Sequence, residues 1–204
     1  RNIPMRKMLP EPASKETLNL PDDKHILILQ GSGINIHRGS EELVDAMQYL
    51  DNCMLLIIGG GDVLPILKQK VADNNWDDRV RFYPRMPYKD MMAITRLAEL
   101  GFTLDKPNNL NYLFSLPNKL FDYIQANVPV IASHLPEIER IIRDYNIGTF
   151  IEEHNPEHIA EKIKETLSDE ERLETWKNNL NFAAQELCWE NEEQTLIKIY
   201  EQYI

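Results

Sequence analysis

The chain has 204 residues, 43% hydrophobic and 27% charged, which supplies enough apolar surface for a packed core and excludes an intrinsically disordered chain. Its 22 basic residues face 33 acidic ones for a net charge of −11, so it lacks the basic footprint that nucleic acid requires. Two cysteines, Cys53 and Cys188, have no second Cys or His at metal-ligand spacing, so free structural thiols in a reducing cytoplasm are expected rather than a zinc site or a disulfide framework.

The acidity is uneven. Residues 151–204 hold 14 acidic and five basic side chains, a net of −9 that leaves only −2 on residues 1–150. An anionic small molecule is therefore expected on the first three quarters, with the tail as a solvated acidic surface. No apolar run reaches the 18 residues that a membrane-spanning helix needs. The opening Arg1-Asn2-Ile3-Pro4 has no initiator Met, so the chain is expected to be part of a longer protein.

Residues 1–24 carry Pro4, Pro10, Pro12 and Pro21 among polar residues without periodicity, the mark of a linker or a strapped-down extension. The domain proper is read as residues 25–204. Short β-rich runs then alternate with helical patterns: strand 25–30 and helix 41–50, strand 54–58 and helix 63–73, strand 80–83 and helix 88–97. Strand 101–104, helix 118–126, strand 128–132, helix 137–144 and strand 149–151 complete the series. This alternation predicts an α/β fold with a parallel sheet of about six strands and helices on both faces, because a crossover between parallel strands needs a covering helix. After Pro156 the pattern is helical only. Ile159, Ile163 and Leu167 recur at i, i+4 and i+8, a polar helix runs through Trp176 to Leu187, and a last helix covers 193–203.

Six of the eight glycines sit in two clusters, Gly31, Gly33, Gly39 and Gly59, Gly60, Gly61, each following a predicted strand. Glycines there either let backbone N–H groups approach a phosphate or simply permit the turn. A dinucleotide fingerprint is not met, since the third glycine position is Ile36 and the residue 20 past Gly33 is Cys53. The phosphate-loop pattern and the H-E-x-x-H and G-x-S-x-G motifs are absent as well.

The most informative segment is 115–133. Pro117 suits the first turn of a helix and Ser115 could cap it. The free N–H groups of that turn, the positive end of the helix dipole and Lys119 together form an anion site. Asp122 follows about one turn later, and a carboxylate accepting two hydrogen bonds side by side suits the vicinal hydroxyls of a ribose. A phosphate site and a ribose site one turn apart describe a nucleotide. The alternative reading of Lys119 and Asp122 is an exposed i, i+3 ion pair.

The run Asn-Lys-Leu-Phe-Asp-Tyr-Ile-Gln-Ala-Asn-Val-Pro-Val-Ile-Ala-Ser at 118–133 resembles the donor-site helix and following strand of the retaining glycosyltransferases of the GT-B fold, the glycosyl transferases group 1 family. Arg38-Gly39, the Leu56–Asp62 strand and glycine turn, Arg79–Phe82, Ile147–Phe150, Asn155–Ala160 and Cys188–Glu190 resemble further family segments in the same order. The likeness covers nearly all of residues 25–204 and falls on the C-terminal, donor-binding half of a two-domain enzyme, with Asn2-Ile3-Pro4 similar to the interdomain segment. The family's paired glutamates, eight positions apart, correspond to Phe114 and Asp122. A common arginine corresponds to Ser32, and Asn127 stands where glycine is usual.

The resemblance implies a Rossmann-like donor domain that binds a nucleotide sugar for retaining, hexosyltransferase-type transfer to a glycan or lipid-linked acceptor in polysaccharide biosynthesis. The donor-binding residues it implies are Gly31, Ser32, Gly33, Arg38, Gly60, Met86, Ser115, Asn118, Lys119 and Asp122, and no catalytic residue is assigned. Arg38, Lys119 and the helix N-terminus would meet the diphosphate charge, so no cofactor and no metal ion are expected. Asp122 would hold the ribose, and the Arg85-Met86-Pro87 turn would flank the base. The N-terminal acceptor domain would lie outside this chain, together with any peripheral contact to a membrane. Donor binding without sugar transfer is then expected of the chain alone, as are uncovered apolar side chains on the last helix. Two other readings stand beside this one: a nucleotide-sugar epimerase of the same fold, drawing on His37 or His134, and a non-catalytic sugar-nucleotide-binding or scaffold domain, suggested by Phe114 and Ser32.

Overall fold

The computed structural model describes residues 3–6 and 9–203; Arg1 and Asn2 of the segment likened to an interdomain connection, and Ile204, lie outside the described residues. Six strands form one parallel sheet: β1 (His25–Gly31), β2 (Cys53–Gly59), β3 (Val80–Tyr83), β4 (Leu100–Thr103), β5 (Val130–Ser133) and β6 (Gly148–Ile151). Their order is β3-β2-β1-β4-β5-β6, so the winding reverses between β1 and β4. This is the Rossmann-like sheet that the alternation predicts.

Parallel strands buried on both faces read as continuous apolar runs, and β1 and β2 do so. Ile26 and Ile28 of β1 and Met54, Leu56 and Ile58 of β2 belong to one core. Their neighbours Leu27, Leu29, Leu55 and Ile57 belong to the other. The first core lies under α3 (Tyr88–Thr95), α5 (Asn118–Ala126), α6 (Pro136–Tyr145) and α8 (Glu170–Glu186). The second lies under α1 (Ser40–Ala46), α2 (Leu64–Asp73) and α7 (Pro156–Ser168). Residues 9–24 lie along the first face: Leu20 is buried there, the Ala13 N–H donates to the Ala93 carbonyl at 2.9 Å, and Arg81 donates to the carbonyls of Leu18 and Asn19.

A four-residue helix, α4 (Leu110–Leu113), stands where the sequence reading has only connection. It buries no side chain and rests on a cap from Asn109, whose Oδ1 accepts the Tyr112 N–H at 3.0 Å, so no apolar periodicity announces it. Strand β5 starts two residues later than expected because α5 ends in a left-handed Asn127, with the Val128 N–H closing on the Tyr123 carbonyl at 3.0 Å. The last helix, α9 (Trp189–Tyr200), starts earlier than expected and buries none of its side chains. Leu196, Ile197, Ile199 and Tyr200 are exposed, as the resemblance implies. Among the described residues no helix is long and apolar enough to cross a membrane.

The two glycine clusters meet. The turn after β2 is pressed against the turn after β1, with the Gly60 N–H donating to the Gly31 carbonyl at 3.2 Å and the Ile34 N–H to the Gly60 carbonyl at 2.9 Å. Asp62 accepts the Ile36 N–H at 3.0 Å, and Asn35 accepts the Asp62 N–H at 3.3 Å. A Cβ on Gly61 would stand 1.8 Å from the Ile34 carbonyl oxygen, and one on Gly59, at φ 137°, equally close to that of Gly31. Backbone cannot yield as a flexible side chain can. Gly61→Ala should therefore cost about 1–3 kcal/mol or more and lower the urea midpoint, whereas an unchanged midpoint would show that the two turns can separate freely.

Candidate functional site

A cavity of about 610 Å³ opens beyond the carboxyl end of β1, the strand at which the sheet winding reverses. Crevices at such switch points are where open α/β sheets take ligands. The β1 turn forms its floor, α3 and α5 its walls, and Ile3 and Pro4 close one edge.

Helix α5 brings the most chemistry. Pro117 stands at its N-cap and no side chain caps it, so the first-turn amides at the cavity are left for solvent or an anion. One turn on, Asp122 is only 8% exposed and holds both carboxylate oxygens in place. Gln30 Nε2 donates to Oδ2 at 3.0 Å and the Tyr88 hydroxyl to Oδ1 at 2.9 Å. Burial raises the Asp122 pKa above the usual aspartate value, and these two donors pull it partly back. Burial and the adjacent carboxylate push the Tyr88 phenol upward, so Tyr88 remains a donor. Tyr123, fully buried beneath the β1–β4 junction, receives the Gln30 N–H at 3.3 Å and donates to the Phe102 carbonyl at 3.2 Å, which ties α5 to both central strands.

The cations gather around a second carboxylate. Asp105, 1% exposed just after β4, lies 3.5 Å from Arg38 Nη1 and 3.9 Å from Lys119 Nζ. Arg38 also stacks on the Tyr112 ring, 4.6 Å from its centroid. Burial draws the Lys119 pKa down, opposed by Asp105 and assisted by Arg38. The hydrogen-bonding capacity of this cluster is incomplete, since Arg38 Nε and Asp105 Oδ1 are buried with no hydrogen-bond partner. Two cations around one carboxylate, beside an uncapped helix end, favour an anionic guest.

The structure brings together Gly31, Ser32, Gly33, Arg38, Asn118, Lys119 and Asp122 on the cavity wall. Lys119 and Asp122 do not pair with each other: Lys119 reaches Asp105 while Asp122 is held by Gln30 and Tyr88, which corrects the ion-pair alternative. Three residues of the implied set lie elsewhere. Gly60 lies under the Arg85 guanidinium, which donates to the Ser32 carbonyl at 2.6 Å, so its cluster supports the β1 turn. Met86 packs against the apolar core. Ser115 does not cap α5, because its hydroxyl donates to the Tyr112 carbonyl at 2.9 Å at the end of α4.

His37 and His134 are not on the wall, and His134 instead pairs with Glu139 at 3.4 Å and stacks on Phe150. Lys106 is engaged with Glu42 at 2.5 Å. Among the described residues no group of three or more His, Cys, Asp or Glu side chains is placed to hold a metal ion. Gln30, Tyr88 and Asp105 escape the sequence reading. Gln30 and Asp105 nonetheless follow from position alone, as polar residues at the carboxyl ends of the two switch-point strands.

The family described as glycosyl transferases group 1 matches residues 11–181. An uncharacterized glycosyltransferase of Methanocaldococcus jannaschii is 22% identical over 189 residues, 93% of this chain and 51% of that protein. The chain spans about half the length of the curated relatives it matches. Anabaena HepE, solved in complex with UDP-glucose, superposes with a TM-score of 0.81 at 14% identity, over 98% of this chain and 56% of that one. The C-terminal domain of the group 1 family protein LpcC from Francisella tularensis superposes with a TM-score of 0.65 at 16% identity, over 89% of this chain and 96% of that one. The match across most of its length places the chain in the glycosyl transferases group 1 family.

Proposed function

We propose that this chain is the donor-binding, C-terminal half of a retaining glycosyltransferase of the hexosyltransferase type, and that its cavity takes the nucleotide part of a nucleoside diphosphate sugar. One observation carries the reading: Asp122 and the uncapped first turn of α5 share a cavity wall with Lys119, and Arg38 lines the same cavity. A carboxylate for ribose hydroxyls and two cations with free amides for a diphosphate are then one helical turn apart. Family membership and the UDP-glucose bound by a structural neighbour support this choice of ligand. The cavity volume also suits a small molecule.

In this reading Arg38, Lys119 and the α5 amides stabilise the charge that develops on the departing diphosphate, a preorganised electrostatic role that calls for no metal ion. Asp122 fixes the ribose, and Asn118 and the Gly31–Gly33 turn meet the phosphates. The acceptor, a glycan or a lipid-linked saccharide, is held by an N-terminal half on the far side of the cleft, so this chain alone binds donor without transferring sugar. The proposal extends to a role in polysaccharide biosynthesis in the cytoplasm, with any membrane contact made through that other half.

Calorimetric titration with UDP, GDP and ADP tests the reading, with one saturable site expected for at least one of them and no binding of any as the contrary result. Asp122→Ala should weaken the best nucleotide about ten- to a hundredfold through loss of charged hydrogen bonds to the ribose, with the fold intact by circular dichroism; parent-like affinity would move the ribose elsewhere. Arg38→Ala and Lys119→Ala should each weaken the diphosphate more than the nucleoside, and equal losses for both would remove these side chains from the phosphate site.

Acidification should also weaken binding, because Asp122 must be ionised to accept from two hydroxyls. Its raised pKa moves that loss above the ordinary aspartate value of about 3.9. The effect on folding has the opposite sign: a buried carboxyl with a raised pKa favours the folded state below that pKa and costs stability as pH rises through it. Affinity measured from neutral pH down to about pH 4 should fall in the parent, with proton uptake on release of the nucleotide. Affinity flat to the ordinary aspartate value would contradict an Asp122 contact.

A further inference from the structure

Behind Asp122 lies a chain of hydrogen bonds that the nucleotide reading leaves unused. Gln30 is 1% exposed at the end of β1 and Thr95 fully buried in α3. The Thr95 hydroxyl reaches Gln30 Oε1 at 2.5 Å, and the Gln30 amide nitrogen then faces Asp122 Oδ2 at 3.0 Å. Two buried polar side chains in series are costly unless satisfied, and here every polar atom of the pair has a partner. A glutamine amide has a donor end and an acceptor end, and only the donor end is compatible with a carboxylate. The Thr95 hydroxyl engages the acceptor end. It can do so although its own helix also offers the Met91 carbonyl at 2.8 Å, the usual partner of a threonine in a helix.

We propose that Gln30 and Thr95 are positioning residues that hold the Asp122 carboxylate in the rotamer that meets both ribose hydroxyls, and that they thereby set the preference for ribose over deoxyribose. This rests on the proposed nucleotide site. A carboxylate that accepts from Gln30 at Oδ2 and from Tyr88 at Oδ1 has one lone-pair direction left on each oxygen. Two adjacent hydroxyls fit that arrangement and one alone uses only half of it. With Thr95 unable to donate, Gln30 Oε1 is left buried without its donor, the side chain is no longer anchored at that end, and the Nε2 that fixes Asp122 Oδ2 loses its position.

The test uses the tightest of UDP, GDP and ADP together with its 2′-deoxy form, titrated against the parent, Thr95→Val, Thr95→Ser and Gln30→Met. The parent should prefer the ribonucleotide about tenfold or more, the effect of one charged hydrogen bond. Thr95→Val should reduce that ratio to about two- to threefold by weakening the ribonucleotide more than the deoxy form. Thr95→Ser, which keeps the hydroxyl, should restore the parental ratio. Gln30→Met provides the same reading if Thr95→Val does not fold, and its ratio should collapse likewise. A variant ratio equal to the parent's, or equal losses for the two sugars, would overturn the inference while leaving the nucleotide site standing. A parent that binds none of the three diphosphates would overturn both.

Discussion

A parallel sheet buried on both faces must send every crossover over one face or the other, and here the side changes between β1 and β4. Helices from opposite layers consequently diverge at the carboxyl ends of those two strands and leave a crevice that no loop fills. Everything of chemical interest gathers there. Gln30 is the penultimate residue of β1, Asp105 follows β4, and α5 starts at the cavity wall. Tyr123 beneath it joins Gln30, Ile28 and Phe102, so the helix that carries Lys119 and Asp122 cannot shift without disturbing both central strands.

The site's electrostatics follow from how each charge is buried. Removing a carboxylate from water is expensive unless donors or cations surround it. Asp122 accepts from two neutral donors, Gln30 and Tyr88, which only partly offset the burial that raises its pKa. Asp105 is surrounded by cations that stand slightly too far away for hydrogen bonds. Arg38 Nε and Asp105 Oδ1 accordingly stay without hydrogen-bond partners. The two carboxylates thus differ in setting: Asp122 lines the cavity and accepts from neutral donors, whereas Asp105 lies between two like charges, Arg38 and Lys119.

The sheet and most helices were legible because their signals are local. Alternating membership of β1 and β2 in two cores requires the unbroken Ile and Leu runs that the sequence displays, and Pro117 and Asn127 mark the two ends of α5 in their own identities. The placement of Lys119 and Asp122 one turn apart on a single cavity wall needed only helical spacing. What stayed hidden depended on partners distant in sequence. Gly59–Gly61 reads as a phosphate turn until Ile34 and Gly31 are seen pressed against it. Met86 and Ser115 read as site residues until the core and the end of α4 claim them. Gln30 and Asp105 are single polar residues at strand ends, and their importance comes from the winding reversal rather than from any motif.

Mapping the site by backbone amide chemical shifts on titration with a nucleoside diphosphate tests the central claim most directly. The account predicts saturable changes concentrated at residues 30–33 and 117–122, with Arg38 and Tyr88 included and the amides around Cys53 and Lys164 at the opposite end of the sheet unmoved. Shifts clustered away from the β1–β4 crevice, or none at saturating nucleotide, would contradict it.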